Sequence, residues 1–95
     1  MPAYVIVEIE VFDQKRYDQY RQIAGPAIEQ YGGRFIVRGG NPQVLEGDWS
    51  PKRLVVIEFS SAERAKEWFT SPEYAPAKAL RKDAARVRIV LADGV

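Results

Sequence analysis

YGGRFIVRGG (residues 31–40) places a glycine pair on each side of a five-residue run that holds two arginines. Three readings compete for it: a phosphate cradle, a fragment of an RNA-binding RGG tract, or punctuation around a strand. A phosphate loop needs G-x-G-x-x-G or G-x-x-x-x-G-K-[ST], and neither pattern occurs in the chain. An RGG tract needs repeats in a polar, disordered segment, whereas this is one copy among apolar residues. Punctuation remains. Gly32-Gly33 closes whatever precedes it, Arg34 to Arg38 forms a short strand, and Gly39-Gly40-Asn41-Pro42 is turn chemistry.

Working outward, YVIVEIEVF (4–12) alternates with period 2. Val5, Val7, Ile9 and Val11 share one face, and Tyr4, Ile6, Glu8 and Glu10 the other. Asp13 is a plausible N-cap for a helix whose buried side is Tyr17, Tyr20, Ala24, Ala27, Ile28 and Tyr31. Gly25-Pro26 lies inside it and predicts a kink or a helix in two pieces. Downstream, Val44–Glu46 predicts a short edge strand within a connecting segment, and RLVVIEF (53–59) is a strand rich in β-branched residues. Ser60 with Glu63 reads as a capping box opening a helix buried through Ala62, Ala65, Trp68 and Phe69. Ser71-Pro72 predicts a fresh N-cap and a further helical piece to about Ala85, before the last strand RVRIVLA (86–92).

The order β-α-β-β-α-β predicts one α+β domain over residues 1–95, a ferredoxin-like sandwich. Its four-stranded antiparallel sheet has the order 4-1-3-2, with helices on one face. The helix-facing side collects Val5, Val7, Ile9, Val55, Ile57, Phe59, Val87, Ile89 and Leu91. The other side mixes Tyr4, Ile6, Ile36, Leu54, Val56 and Val90 with Glu8, Glu10, Glu58, Arg34, Arg38, Arg86 and Arg88. That many aliphatic residues are unusual on a solvent face. A second copy covering it, with a partly polar cavity between two sheets, accounts for them; a ladder of cross-strand ion pairs accounts only for the charges.

Composition narrows the function classes. Fourteen basic residues against 13 acidic ones give a net charge of +1, with no footprint for nucleic acid or an acidic membrane. Histidine and cysteine are absent, which excludes Ser-His-Asp and Cys-His nucleophiles and the usual zinc ligands. No metal or bound coenzyme is expected, and acid–base work falls to Asp, Glu, Lys, Tyr or water. The opening MPAYVIVEIE has no basic leader, and no apolar run spans a bilayer, so a cytoplasmic location is expected. RNA recognition on this topology needs exposed aromatics on the central strands. Phe59 falls on the helix side and Tyr4 stands alone, which argues against it.

Candidate cavity residues are Glu8, Arg34, Arg38, Trp49, Glu58 and Trp68. Arg34 and Arg38, four apart on a strand, are expected on the same side as Ile36 and Glu58. Glu8 and Glu58, side by side on the central strands, have two readings. Either they approach in a closed cavity and one pKa rises, or an edge arginine neutralises each. Trp68 falls at core spacing. Trp49 lies in a loop where no periodicity demands it, and so either pins the loop or meets a partner or ligand.

Taken together, YGGRFIVRGG, LEGDW (45–49), RLVVIEF and WFTSPEYAPAKALRKDAA (68–85) resemble the domain-of-unknown-function family numbered 1330, within the dimeric α+β-barrel superfamily. The resemblance runs from the first strand to the last. It implies a ferredoxin-like subunit whose sheet packs on that of a twin. Cofactor-independent monooxygenases, lactone isomerases and haem enzymes of the superfamily imply a small-molecule ligand, and the missing histidine argues against a histidine-ligated haem. Phe69 stands where the resemblance implies tyrosine, so this position has no hydroxyl to donate a proton. Two function classes follow from the sequence: a small homodimeric enzyme without cofactor, or a non-catalytic dimeric binding or stress-linked module with a side-chain-filled cavity.

Overall fold

The computed structural model describes residues 1–95. Its elements are β1 (Ala3–Val11), α1 (Gln14–Gln30), β2 (Arg34–Gly39), β3 (Arg53–Phe59), α2 (Ala62–Phe69), α3 (Ala75–Lys82) and β4 (Ala85–Asp93). The strands form one antiparallel sheet in the order β2-β3-β1-β4, the expected arrangement read from the other edge.

Alternation puts Val5, Val7 and Ile9 of β1 and Val55, Ile57 and Phe59 of β3 beneath the helices, all buried. Tyr17, Ala24, Ala27 and Ile28 of α1 pack onto them from above. Trp68 and Tyr74 close the other side, with ring centroids 4.5 Å apart, and Phe59 lies 5.4 Å from Trp68.

The glycine pair after α1 ends it as expected. Gly32 takes φ +80°, its N–H donates to Glu29 O, and the Gly33 N–H donates back to Ile28 O, a Schellman ending. Gly33 answers a packing demand as well. A Cβ there would lie 2.7 Å from the Phe59 ring and 2.8 Å from Ile28 Cγ2.

Several local expectations are corrected. α1 is one continuous helix with Pro26 inside it, rather than two pieces. Burial of Ala24, Ala27 and Ile28 across the Pro26 position outweighs the lost hydrogen bond, and Gly25 spares the proline ring a neighbouring Cβ. The N-cap of α2 is Ser61, not Ser60, with its Oγ accepting from Arg64 N at 3.2 Å. Ser71 does not cap a long final helix. Its hydroxyl donates to Trp68 O and accepts from Tyr74 N, folding residues 72–74 into a turn so that α3 starts at Ala75. Val44–Glu46 forms no strand, because β2 already covers the free side of β3 and this segment finds no ladder within the chain.

Candidate functional site

Strand register decides which side chains can meet. In β2, Arg34 stands opposite Glu58 and Phe35 opposite Ile57; Ile36 is then unpaired, and Val37 and Arg38 resume opposite Val56 and Val55. This is a β-bulge, and beyond it every side chain changes face. Arg34 stays on the open face. Arg38 crosses to the helix side, where its guanidinium sits 3.9 Å from the Phe35 ring centroid. The expectation that both arginines leave on one side is therefore corrected: Val37 takes the open-face place opposite Val56 that Ile36 would have held, and Gly39 the one opposite Leu54 that Arg38 would have held.

The central pairing decides between the two readings of Glu8 and Glu58 in favour of separate neutralisation by edge arginines. β1 and β3 run antiparallel, so Glu58 lies opposite Tyr4 while Glu8 lies opposite Leu54, towards the other end of the sheet. The two carboxylates do not meet. Each acquires its own partners instead. Glu58 accepts from Arg34 Nε at 2.7 Å and from Tyr4 OH at 3.2 Å. Glu8 accepts from Arg88 Nε and from Trp49 Nε1, both at 2.7 Å. Both carboxyls are held below the ordinary carboxylate range, Glu58 chiefly by the Arg34 hydrogen bond and Glu8 chiefly by Trp49, then Arg88. Neither is a base poised near neutrality. Trp49 thus pins its loop across the open face while staying 49% exposed.

Each side of the sheet holds a cavity of about 360 Å³, the one on the open face bordered by Glu8, Glu10, Lys52, Arg86 and Arg88, and the one on the helix side far richer in apolar residues. The latter lies between α1 and the sheet, and Arg38 and Trp68 are among its lining residues. Three tyrosines border it. Tyr17 and Tyr20 project from consecutive turns of α1, and Tyr74 from the turn before α3. The Tyr20 and Tyr74 hydroxyls are 2.9 Å apart, and Arg81 Nη1 donates to Tyr74 OH at 2.9 Å. Burial raises the pKa of all three phenols, so they remain neutral donors at physiological pH. Asp18 is the only carboxylate on the lining, and it is engaged by Gln14 Nε2 at 2.9 Å and Arg21 at 4.0 Å.

Two donors on cavity residues, Arg53 Nε and Trp68 Nε1, are buried without a hydrogen-bond partner. Such a group typically costs about 1–3 kcal/mol. With neutral phenols and guanidinium groups around it, the cavity can stabilise negative charge on a ligand and hold a proton near it. It has no residue suited to strong base catalysis.

Of the residues singled out in the sequence, then, Glu8 with Trp49 and Glu58 with Arg34 occupy separate places on the open face. Arg38 and Trp68 lie across the sheet from them. Tyr20, Arg53, Tyr74 and Arg81 were missed as site residues. A signal existed for one pair: Tyr74 and Arg81 are seven apart, two helical turns, which aligns them on one side.

An open four-stranded antiparallel sheet in the order β2-β3-β1-β4 with helices on one side defines a ferredoxin-like α+β protein, and here a largely apolar cavity lies beneath the helices. The family model described as Domain of unknown function (DUF1330) matches residues 2–95, and the chain belongs to that family. No curated protein matches it. Among solved structures, a protein of unknown function from Rhodopseudomonas palustris has TM-score 0.82 at 20% identity, covering 99% of this chain and 82% of its own. SnoaB, a cofactor-independent oxygenase from Streptomyces nogalater, gives 0.71 at 8% identity, with 99% and 93% covered. A dimeric ferredoxin-like protein of unknown function from Jannaschia sp. gives 0.72 at 12% identity, with 99% and 100% covered. At these identities the likeness is one of fold.

Proposed function

We propose that the chain works as a homodimer, open sheet face against open sheet face in the manner of a dimeric α+β barrel. Each subunit handles one small organic molecule in the cavity beneath α1, as a cofactor-independent enzyme of the oxygenase or isomerase type. The observation that carries this reading is the cavity itself, bordered by aromatic rings and by the Arg81–Tyr74–Tyr20 hydrogen-bond chain, with two of its lining residues, Arg53 and Trp68, each keeping a buried N–H without an acceptor. A packed core would have filled that space and left no donor unsatisfied.

On this reading the ligand sits in the cavity under the helices of one subunit rather than between two sheets. Glu8, Arg34, Trp49 and Glu58 are accordingly assigned to the interface, and Arg38 and Trp68 to the ligand. In chemical terms the site would bind a substrate that is already acidic, stabilise its anion through guanidinium groups and phenol hydroxyls, and exclude bulk water. The fold likeness to a cofactor-independent oxygenase supports the enzyme class by analogy.

A second reading, ligand binding without turnover, is favoured by the lack of a free base on the lining. One experiment separates them. The protein is incubated in air with a panel of enolisable and phenolic compounds while oxygen uptake and product masses are followed. Turnover that Tyr20→Phe and Tyr74→Phe abolish, with circular dichroism unchanged, supports the enzyme. Saturable binding with no product supports the binding module. Neither binding nor turnover across the panel defeats both.

A further inference from the structure

The chain has nine arginines, and six of them lie within 4.0 Å of a carboxylate: Arg16, Arg21, Arg34, Arg64, Arg86 and Arg88. The three without such a partner are Arg38, Arg53 and Arg81, and all three line the cavity beneath α1. They come from different elements by different routes. Arg38 is turned to the helix side of the sheet by the bulge at Ile36, Arg53 stands first on the helix side of β3, and Arg81 lies in the last turn of α3.

Nothing local requires this. Elsewhere on the surface carboxylates neutralise arginines at almost every turn, whereas the cavity has one carboxylate, already engaged by Arg21 and Gln14. Guanidinium groups take planar oxyanions through paired N–H donors, and they do so best where water is scarce. The rest of the lining is rich in aromatic residues, including Tyr17, Phe35 and Trp68. Roughly 150 Å³ suffices for a benzene ring, so 360 Å³ admits one or two fused rings with a substituent.

Resting on the small-molecule reading above, we infer that the cavity selects a planar aromatic anion, its ring among the aromatic side chains and its anionic oxygens on the unpaired arginines. Arg38, Arg53 and Arg81 are then the specificity-determining residues.

The test is calorimetric titration of the full-length protein with 2-naphthoate and benzoate, each against its uncharged amide. Binding is located by the indole N–H resonance of Trp68, assigned through its loss in Trp68→Phe. The acids should bind at least about tenfold more tightly than the amides and move that resonance, and their affinity should fall as salt is raised. Arg38→Gln, Arg53→Gln and Arg81→Gln should each reduce acid affinity severalfold while sparing the amides. Arg38 is solvent-exposed, so its variant keeps the experiment valid if the others fold poorly. Arg64→Gln, outside the cavity on α2, should change nothing. If amides bind as tightly as acids and shift Trp68 equally, the anion inference falls and the small-molecule reading stands. If no probe moves Trp68 up to its solubility limit, both fall. Acid binding that Arg64→Gln weakens as much as Arg38→Gln would be surface adhesion, and would overturn the inference.

Discussion

Glu8 and Glu58 show how much a residue's chemistry depends on its neighbours across the sheet. Both carboxyls are held below the ordinary range by hydrogen bonds, to Trp49 and Arg88 in one case and to Arg34 in the other. The sign of the resulting pH dependence follows. An unfolded carboxyl titrates at about pH 4.3, and the folded one lower, so on acidification the unfolded chain takes up protons first. The stability these groups contribute is complete above the unfolded value and is lost as pH falls through the folded one. The urea midpoint should therefore be flat from about pH 7 to 5.5 and fall below about pH 4.5. Glu8→Gln and Glu58→Gln should each make the fall shallower, and a drop of equal steepness in wild type and both variants would refute the assignment. Gly33→Ala belongs to the same scale. The added methyl meets a buried ring at 2.7 Å and cannot be accommodated by a surface shift. A loss of about 1–3 kcal/mol in chemical denaturation is expected.

At the scale of elements, α1 carries a cost in its own sequence. Pro26 removes the N–H that would bond the carbonyl four residues back, and the helix persists because its buried face is apolar on both sides of the break. Pro26 is exposed, so Pro26→Ala should restore that bond without disturbing the core, raising stability by about 1–3 kcal/mol on a thermal or urea scan. An unchanged or lower midpoint would show that the proline is accommodated without loss. The connection from Gly40 to Lys52 is the second informative element. It builds no strand, yet the Trp49 indole is tied to Glu8 on the open face with much of its ring in water. If that face is the subunit interface, Trp49→Ala should shift dimer dissociation to higher protein concentration with the far-ultraviolet circular dichroism spectrum retained. An unaltered dissociation constant would make Trp49 a loop pin only.

For the whole molecule, the open sheet face presents a question of solvent. Ile6, Ile36, Val37 and Val90 are 37–57% exposed there, with Tyr4, Leu54 and Val56 only half-buried beside them. Light scattering at low micromolar concentration should return about twice the chain mass of 10.8 kDa. A monomer at that concentration would remove the interface roles given to Glu8, Arg34, Trp49 and Glu58, while leaving the cavity beneath α1 untouched, since one subunit supplies all of it.

Much of this architecture is legible in the amino-acid order. Period-2 alternation is a consequence of backbone stereochemistry, so Val5, Val7 and Ile9 declare their face locally, and a glycine pair after a helical run declares its end. By itself that order determined four strands, their sequence in the sheet, the apolar character of the helix-facing side and the mixed aliphatic and charged character of the other. The site was far less legible. Whether Arg38 faces a partner or a cavity depends on one unpaired residue at Ile36, and a bulge is favoured by how β2 twists and packs on β3 rather than by the identity of that residue. Whether Glu8 meets Glu58 depends on strand direction and register, which are set by long-range pairing. The convergence of Arg38, Arg53 and Arg81 is likewise invisible along the chain, because β2, β3 and α3 are brought together only when the core is buried. Only the tertiary structure could decide those points, since each is a relation between residues that local conformational preference does not couple.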